Sequence, residues 1–223
     1  MTKPPPIPKL KQSKTNWLLI LSIAASVLVV TGLVCLRLFV IQPFKVPTSA
    51  MSPTLRGIEQ LPDGSATFGD HIFVDKLSYR FRAPKRGETV VFRTDSIKDI
   101  PYNLQGLYYV KRIVGLPGER VSIKPPHVCI NGVPVVEPPI LEKIQSAKDG
   151  YHGYVLPGTT ASMAKFLASE NDSVLLGDDE YFVLGDNSRA SLDSRYWGPV
   201  RRDAIVGRVT SIYWPLGRAG KVE

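Results

Sequence analysis

Two cysteines and three histidines are all that the 223 residues supply of the side chains that most often hold metals or cross-link chains. Cys35 falls inside a long apolar run and Cys129 far along the chain, so their surroundings exclude a disulfide between them. His71, His127 and His152 are scattered and match no HExxH or zinc-ligand spacing, which removes support for a metal hydrolase and for a histidine-based triad. No metal and no cofactor is expected. Acids are missing from the first sixteen residues, where Lys3, Lys9, Lys11 and Lys14 supply half of the formal net charge of +8. The remaining excess is spread thinly, without a basic face interleaved with aromatics, so nucleic acid is not an expected partner. No internal repeat is visible.

What the chain does have is a run of twenty residues without a charge, WLLILSIAASVLVVTGLVCL from Trp17 to Leu36. That is close to the ~20 residues needed to cross a hydrocarbon core of ~30 Å. Four lysines before the run and only Arg37 soon after it put the amino terminus in the cytoplasm and the rest outside. A cleaved secretory signal shares the basic start, but its apolar region spans only ~7 to 15 residues and ends in a small-residue cleavage site. The run here is too long, and a permanent anchor in a lipid bilayer is expected. Residues 1–16 then form a basic cytoplasmic tail, 17–36 a transmembrane helix, and 42–223 a β-rich extracytoplasmic domain.

Beyond Val40 the texture changes to short apolar and β-branched runs separated by glycine and proline. HIFVDKLSYRF, ETVVFR, YYVKRIVGL, RVSIK, EYFVLG and IVGRVTSIYW are the expected strands. In CINGVPV, Asn131 and Gly132 sit between apolar alternations, the mark of a tight hairpin turn with positive φ. Residues from about 138 to 179 are less regular and read as an inserted lobe with a short helix near Ser162 to Ser169. The fold class is mostly β, preceded by one amino-terminal transmembrane helix.

Three segments carry the chemistry: VPTSAMSPTLRG at 46–57, YYVKRIVGLPGER at 108–120 and GDNSRASLDSRYWGPV at 185–200. GDHIFVDKLSYRF and PKRGETVVF lie between the first two. In this order and at these separations the chain resembles the type I signal peptidases, membrane-bound serine endopeptidases that use a lysine as general base. The resemblance runs from the anchor to the end. It implies a signal-peptidase-like β-rich catalytic domain, no cofactor, and signal peptides of exported preproteins as substrates. It also implies a single-pass protein with its catalytic domain outside, in a bacterial cell membrane or in a thylakoid.

By matching residues, Lys111 stands at the general base. A free lysine is protonated near neutral pH, so it serves as a base only where burial disfavours its charge. Tyr108, Tyr109, Val110, Ile113 and Val114 are suitably apolar neighbours. Without the flanking motifs this would be an ordinary lysine on a half-buried strand. Arg112 cannot give up a proton and reads as structural. The resemblance makes Ser191 the hydroxyl that orients the lysine, and Asp193 and Arg195 a supporting ion pair. Taken alone, that pair reads as an exposed turn contact worth little. Ser188-Arg189 departs from the Arg-Asp or Arg-Asn usual after GDN, leaving the salt links of that loop open.

The first motif departs more seriously. Pro47, Thr48, Ser49, Ala50, Met51, Ser52, Pro53 and Thr54 fill its places, so alanine stands where the nucleophilic serine belongs. A methyl group cannot attack a carbonyl. Three readings are open: an engineered knockout, a natural inactive homologue that binds signal peptides or assists an active paralogous peptidase, or a displaced nucleophile. For the last, Ser49 is the better substitute than Ser52. The Ala50 backbone N–H and the Thr48 hydroxyl remain available for an oxyanion hole. Phe39, Phe44 and Met51, just after the anchor, are either a lipid-dipping rim or core.

Overall fold

The computed structural model describes residues 14–157 and 164–222. The chain divides between Val40 and Ile41 into two units. The first contains helix α1, Lys14–Phe39, whose side chains from Trp17 to Val34 are mostly apolar and exposed on every side. The helix is long and apolar enough to cross a membrane. A helix greasy all round has no watery face to present. Two of its hydroxyls are satisfied internally: Ser22 donates to the Leu19 carbonyl and Ser26 to that of Ser22.

The second unit, Ile41–Glu223, is built on strands. In chain order these are β1 Ile41–Lys45, β2 His71–Asp75, β3 Thr89–Arg93, β4 Tyr108–Gly115, β5 Arg120–Lys124, β6 His127–Ile130, β7 Val133–Pro134, β8 Val174–Leu175, β9 Glu180–Leu184, β10 Val200–Arg201, β11 Ile205–Trp214 and β12 Gly220–Lys221. Short helices α2 Ser78–Phe81, α3 Pro139–Gln145 and α4 Ser194–Trp197 interrupt them. The larger sheet runs β1-β2-β11-β3-β4-β9-β10, with β12 on the side of β11, and the smaller runs β7-β6-β5-β8. Neighbouring strands are antiparallel throughout.

Strand alternation sorts the core. On β4, Val114 faces a cluster with Val121, Ile123, Val128, Phe182 and Leu184 that joins the two sheets. Ile113 faces Val90, Phe92, Val183 and Trp197 instead. A third cluster holds Ile72, Val74, Val91 and Val209 against Val46, Met51 and Leu55 of the first motif, which anchors that loop by burial.

Two local outcomes differ from the sequence expectation. The strand starting at His71 stops at Asp75, because the Asp75 carboxylate accepts the backbone N–H groups of Leu77 and Ser78 at 2.9 and 3.0 Å and also the Ser78 hydroxyl. That side-chain competition turns the backbone, and SYRF becomes α2. The region read as a lobe carries its helix at Pro139–Gln145, with Ile140, Leu141 and Ile144 buried. Residues 164–169 are not helical, and Ser162 and Met163 lie outside the described residues. The separate layer begins earlier than residue 138, because β5 and the β6–β7 hairpin already belong to the small sheet. In that hairpin Asn131 and Gly132 take φ of 52° and 85°, as the turn requires. Gln145 ties α3 to it, accepting from Val128 N at 2.8 Å and donating to the Val135 carbonyl at 2.6 Å.

Phe182 is fully buried where the sheets meet. Phe182→Ala should cost about 3–5 kcal/mol in urea unfolding of the folded unit, since the sheets on either side cannot collapse into the space. A loss under about 1 kcal/mol would mean the layers are not held together there.

Candidate active site

The site is assembled on β4. Lys111 pairs in register with Val90 on β3 and shares its face with Tyr109 and Ile113. Strand β9 covers β4 only at Arg112, Ile113 and Gly115, so β4 leaves its named partner on that side just at the lysine. The stretch Tyr108–Lys111 therefore borders an open edge beside a cavity of about 490 Å³. Ala50, Thr48, Lys111 and Leu192 all line this cavity, which is otherwise walled mainly by Phe44, Leu104, Leu107, Tyr108 and Tyr109.

Lys111 is only 5% exposed. Its Nζ donates to the Val110 carbonyl at 3.1 Å and sits 5.2 Å from the centre of the Tyr109 ring. Burial pulls its pKa down from 10.5 to about 8. Asp193 and Asp186 oppose that shift by favouring the ammonium, and Arg195 adds to it. An appreciable fraction of the amine is therefore neutral near physiological pH, as a proton acceptor must be.

The first-motif loop approaches the lysine because its backbone is tied from several directions. Val46 N donates to the Asp70 carbonyl at 2.8 Å, and Leu55 N to the Met51 carbonyl at 2.9 Å. Gly57 lies so close that a β-carbon there would come within 2.2 Å of the Thr48 carbonyl carbon, which only glycine permits. From the opposite side Asn187 N donates to the Ala50 carbonyl at 3.0 Å, and Asn187 Nδ2 to that of Ser49 at 3.2 Å. Thr54 Oγ1 donates to Asp186 Oδ2 at 2.5 Å. Arg218 grips Asp70 and the Thr54 carbonyl.

The 185–200 segment is held by two buried ion pairs. Arg112 meets Asp186 in two contacts, Nε to Oδ1 at 2.8 Å and Nη2 to Oδ2 at 2.7 Å. Arg195 meets Asp193 likewise, Nε to Oδ1 at 2.8 Å and Nη2 to Oδ2 at 2.9 Å. All four side chains are shut off from solvent. The Asp193–Arg195 contact is thus a desolvated, fully bonded pair and not an exposed turn contact. Arg195 also donates to the carbonyls of Ser188, Ser191 and Val155 and to the Ser188 hydroxyl. Ser188, which breaks the expected pattern, is therefore absorbed into the arginine's bonding.

Ser191 is 5% exposed and its Oγ has no hydrogen-bond partner among the described residues, so the expected bond to the Lys111 amine is not made here and the amine donates to the Val110 carbonyl instead. A β-carbon on Gly185 would come within 2.2 Å of that Oγ and 2.5 Å of the Ala50 carbonyl oxygen, so both crowd the same bare backbone. The structure thus brings Thr48, Ala50 and Lys111 to one cavity, and Ser191, Asp193 and Arg195 directly behind. Ser49 is half-buried and does not contribute to the cavity wall. Sequence reasoning passed over Asp186, Asn187, Gly185 and Gly57. The GDN triplet and the glycine ending the first motif were their only local signal.

A family model described as "Signal peptidase, peptidase S26" matches residues 15–214. This chain belongs to the signal peptidase family. The "Signal peptidase I" of Leptolyngbya laminosa is 33% identical over 223 aligned residues, covering 98% of this chain and 91% of that protein. The "Probable signal peptidase I-2" of Synechocystis sp. (strain ATCC 27184 / PCC 6803 / Kazusa) is 34% identical over 186 residues, covering 83% of this chain and 68% of that one. A crystal structure of a signal peptidase I from Enterococcus faecalis V583 aligns at 29% identity with a TM-score of 0.41, covering 58% of this chain and 98% of that one. Signal peptidases I are serine proteases that remove signal peptides from preproteins, and in this member Ala50 and the buried Lys111 line one cavity.

The amine's depressed pKa has a thermodynamic signature. In the unfolded chain the lysine keeps its proton up to about 10.5, whereas in the native state it loses it above about 8. Between these values the unfolded state binds more protons, so native stability rises with pH across the window, and below it the whole penalty for the buried ammonium is present. Stability of the parent relative to Lys111→Met should therefore increase from pH 8 to 10.5 and stay level below pH 8. Parallel curves across the window would mean the amine is solvated.

Proposed function

We propose that this chain keeps the signal-peptide site of a type I signal peptidase but, without the hydroxyl, binds the peptide and does not cut it. The observation that carries this reading is that Ala50 and Lys111 line one cavity, with the lysine buried and the Asp193–Arg195 and Arg112–Asp186 pairs formed. In the assignment, Lys111 is the general base, the Asp193–Arg195 pair fixes the backbone around Ser191, and the Ser191 hydroxyl, unbonded among the described residues, turns to the amine when peptide fills the cavity. Thr48 and the Ala50 N–H form the oxyanion hole. An extended peptide adds to the open edge of β4 by main-chain bonds, and its small side chains enter the apolar cavity. The amino terminus is cytoplasmic, α1 spans the bilayer, and the site works on the extracytoplasmic face, with an active paralogous peptidase as its partner in processing.

The rival assignment, in which Ser49 attacks, faces a concrete obstacle. The Ser49 carbonyl is held by Ser52 N at 3.0 Å and Asn187 Nδ2 at 3.2 Å, while the next carbonyl is held by Asn187 N at 3.0 Å. Turning the Ser49 backbone so that its side chain enters the cavity breaks these contacts, and misplacement of ~1 Å alone costs ~10²-fold in rate.

Purified full-length chain in lipid should retain a preprotein without releasing mature product. Ala50→Ser should cut it, with a rate that rises as pH passes through about 8, and adding Lys111→Ala should lower that rate by ~10²–10⁴-fold. Cleavage by the parent that disappears in Ser49→Ala would replace this reading with the displaced nucleophile. Cleavage by neither the parent nor Ala50→Ser, with no retention of the preprotein, would end the peptidase assignment.

A further inference from the structure

With alanine at residue 50, the Lys111 amine has no hydroxyl there from which to take a proton. The Ser191 hydroxyl makes no bond to it either, and the amine gives one N–H to the Val110 carbonyl at 3.1 Å. A primary amine has a second chemistry besides that of a base. Through the same lone pair it attacks carbonyl carbon and forms a Schiff base, provided that it is neutral and that its surroundings admit the carbonyl compound.

Both conditions meet at Lys111. Burial brings its pKa to about 8, against ~10.4 for a free lysine, so the neutral amine is populated near neutral pH. The cavity that Lys111 lines, about 490 Å³, falls in the range of roughly 300–1,000 Å³ usual for small-molecule sites. Its wall is largely apolar, with Phe44, Val91, Leu104, Leu107 and Leu192 among its residues. Tyr109 belongs to the same wall, and the Lys111 Nζ stands 5.2 Å from the centre of its ring. Lys45 and Lys111 supply the charged side chains of the lining, and no carboxylate is among them. Lys45 is exposed, so Lys111 is the sheltered amine of this cavity.

A ligand suited to such a site has an apolar body, no charge to desolvate and one carbonyl carbon open to attack. An aldehyde meets these demands, since its carbonyl carbon carries a single substituent. We propose that Lys111 of this chain is also a nucleophile, and that its cavity captures apolar aldehydes as a reversible Schiff base. The Nζ lone pair forms the N–C bond while the carbonyl π pair moves to oxygen, and one N–H proton passes to that oxygen. The hydroxyl then leaves as water, with a proton from solvent, as the C=N bond forms, and the iminium returns a proton to solvent. Amine and aldehyde thus give imine and water, with nothing oxidised or reduced. The imine is uncharged and escapes the cost that burial imposes on the ammonium. This inference rests on the buried amine and its cavity, not on the capture of a peptide.

The test mixes the full-length chain at neutral pH with hexanal, or with the polar aldehyde glyoxylate, in the presence of cyanoborohydride, and peptide mass mapping follows the alkylation of each lysine. Hexanal should mark Lys111 about ten-fold or more faster than the exposed Lys98 and Lys148, because its amine is in larger part neutral than that of a free lysine. Glyoxylate should show no such preference, and unfolding in guanidinium should erase it. Lys111→Met should lose the fast adduct and keep the slow ones. Marking of Lys111 no faster than of Lys98 overturns the proposal, as does a preference that survives guanidinium. An equal preference for glyoxylate also overturns it, since the amine would then be reactive without an apolar site. A chain that retains a preprotein but takes up no hexanal defeats this inference alone, whereas a fast hexanal adduct in a chain that retains no preprotein supports it and defeats the peptide reading.

Discussion

An ammonium at the Lys111 position would be shut away from water, and the surrounding structure answers that cost by letting the amine give up its proton. The two nearest carboxylates could have restored the charge, but each is already committed: Asp186 to Arg112 and Asp193 to Arg195. Because each acid is neutralised by a guanidinium in two-point contact, the field left over at the amine is weak and burial wins. The ion pairs are thus more than braces. They temper the field at an amine whose proton affinity is lowered chiefly by burial.

The same arginines and acids also set where the loops lie. Arg112 reaches from β4 to Asp186, Asp186 holds Thr54 of the first motif, and Asn187 next in sequence holds the carbonyls of Ser49 and Ala50. Strand, loop and first motif are joined through a handful of side chains, so a shift in one moves the others. Burial of Met51 and Leu55 at 0% exposure anchors the far side of the loop. The methyl of Ala50 is consequently delivered to the cavity by contacts that never involve its own side chain.

Much of this was legible from residues alone. Alternating β-branched runs marked β3, β4, β5, β9 and β11 almost to their ends, and Asn131-Gly132 marked its hairpin, because local pattern and tertiary placement agree there. The apolar run announced α1 for the same reason. The Asp75 turn was not visible, since a carboxylate that captures two backbone N–H groups looks in sequence like one more polar residue in a strand. The irregular stretch after residue 137 hid α3, whose helical face is only three residues, Ile140, Leu141 and Ile144. At the site, residue types pointed to Lys111 and its neighbourhood, whereas the arginine–aspartate pairing across 74 residues and the crowding against Gly57 and Gly185 exist only in three dimensions.

The contacts that position residue 50 are made by its backbone and by its neighbours, and none depends on what its side chain is. Every alanine codon differs from a serine codon at a single nucleotide. A lineage carrying this chain is therefore one transversion from placing a hydroxyl at residue 50, on the same cavity that the buried Lys111 lines.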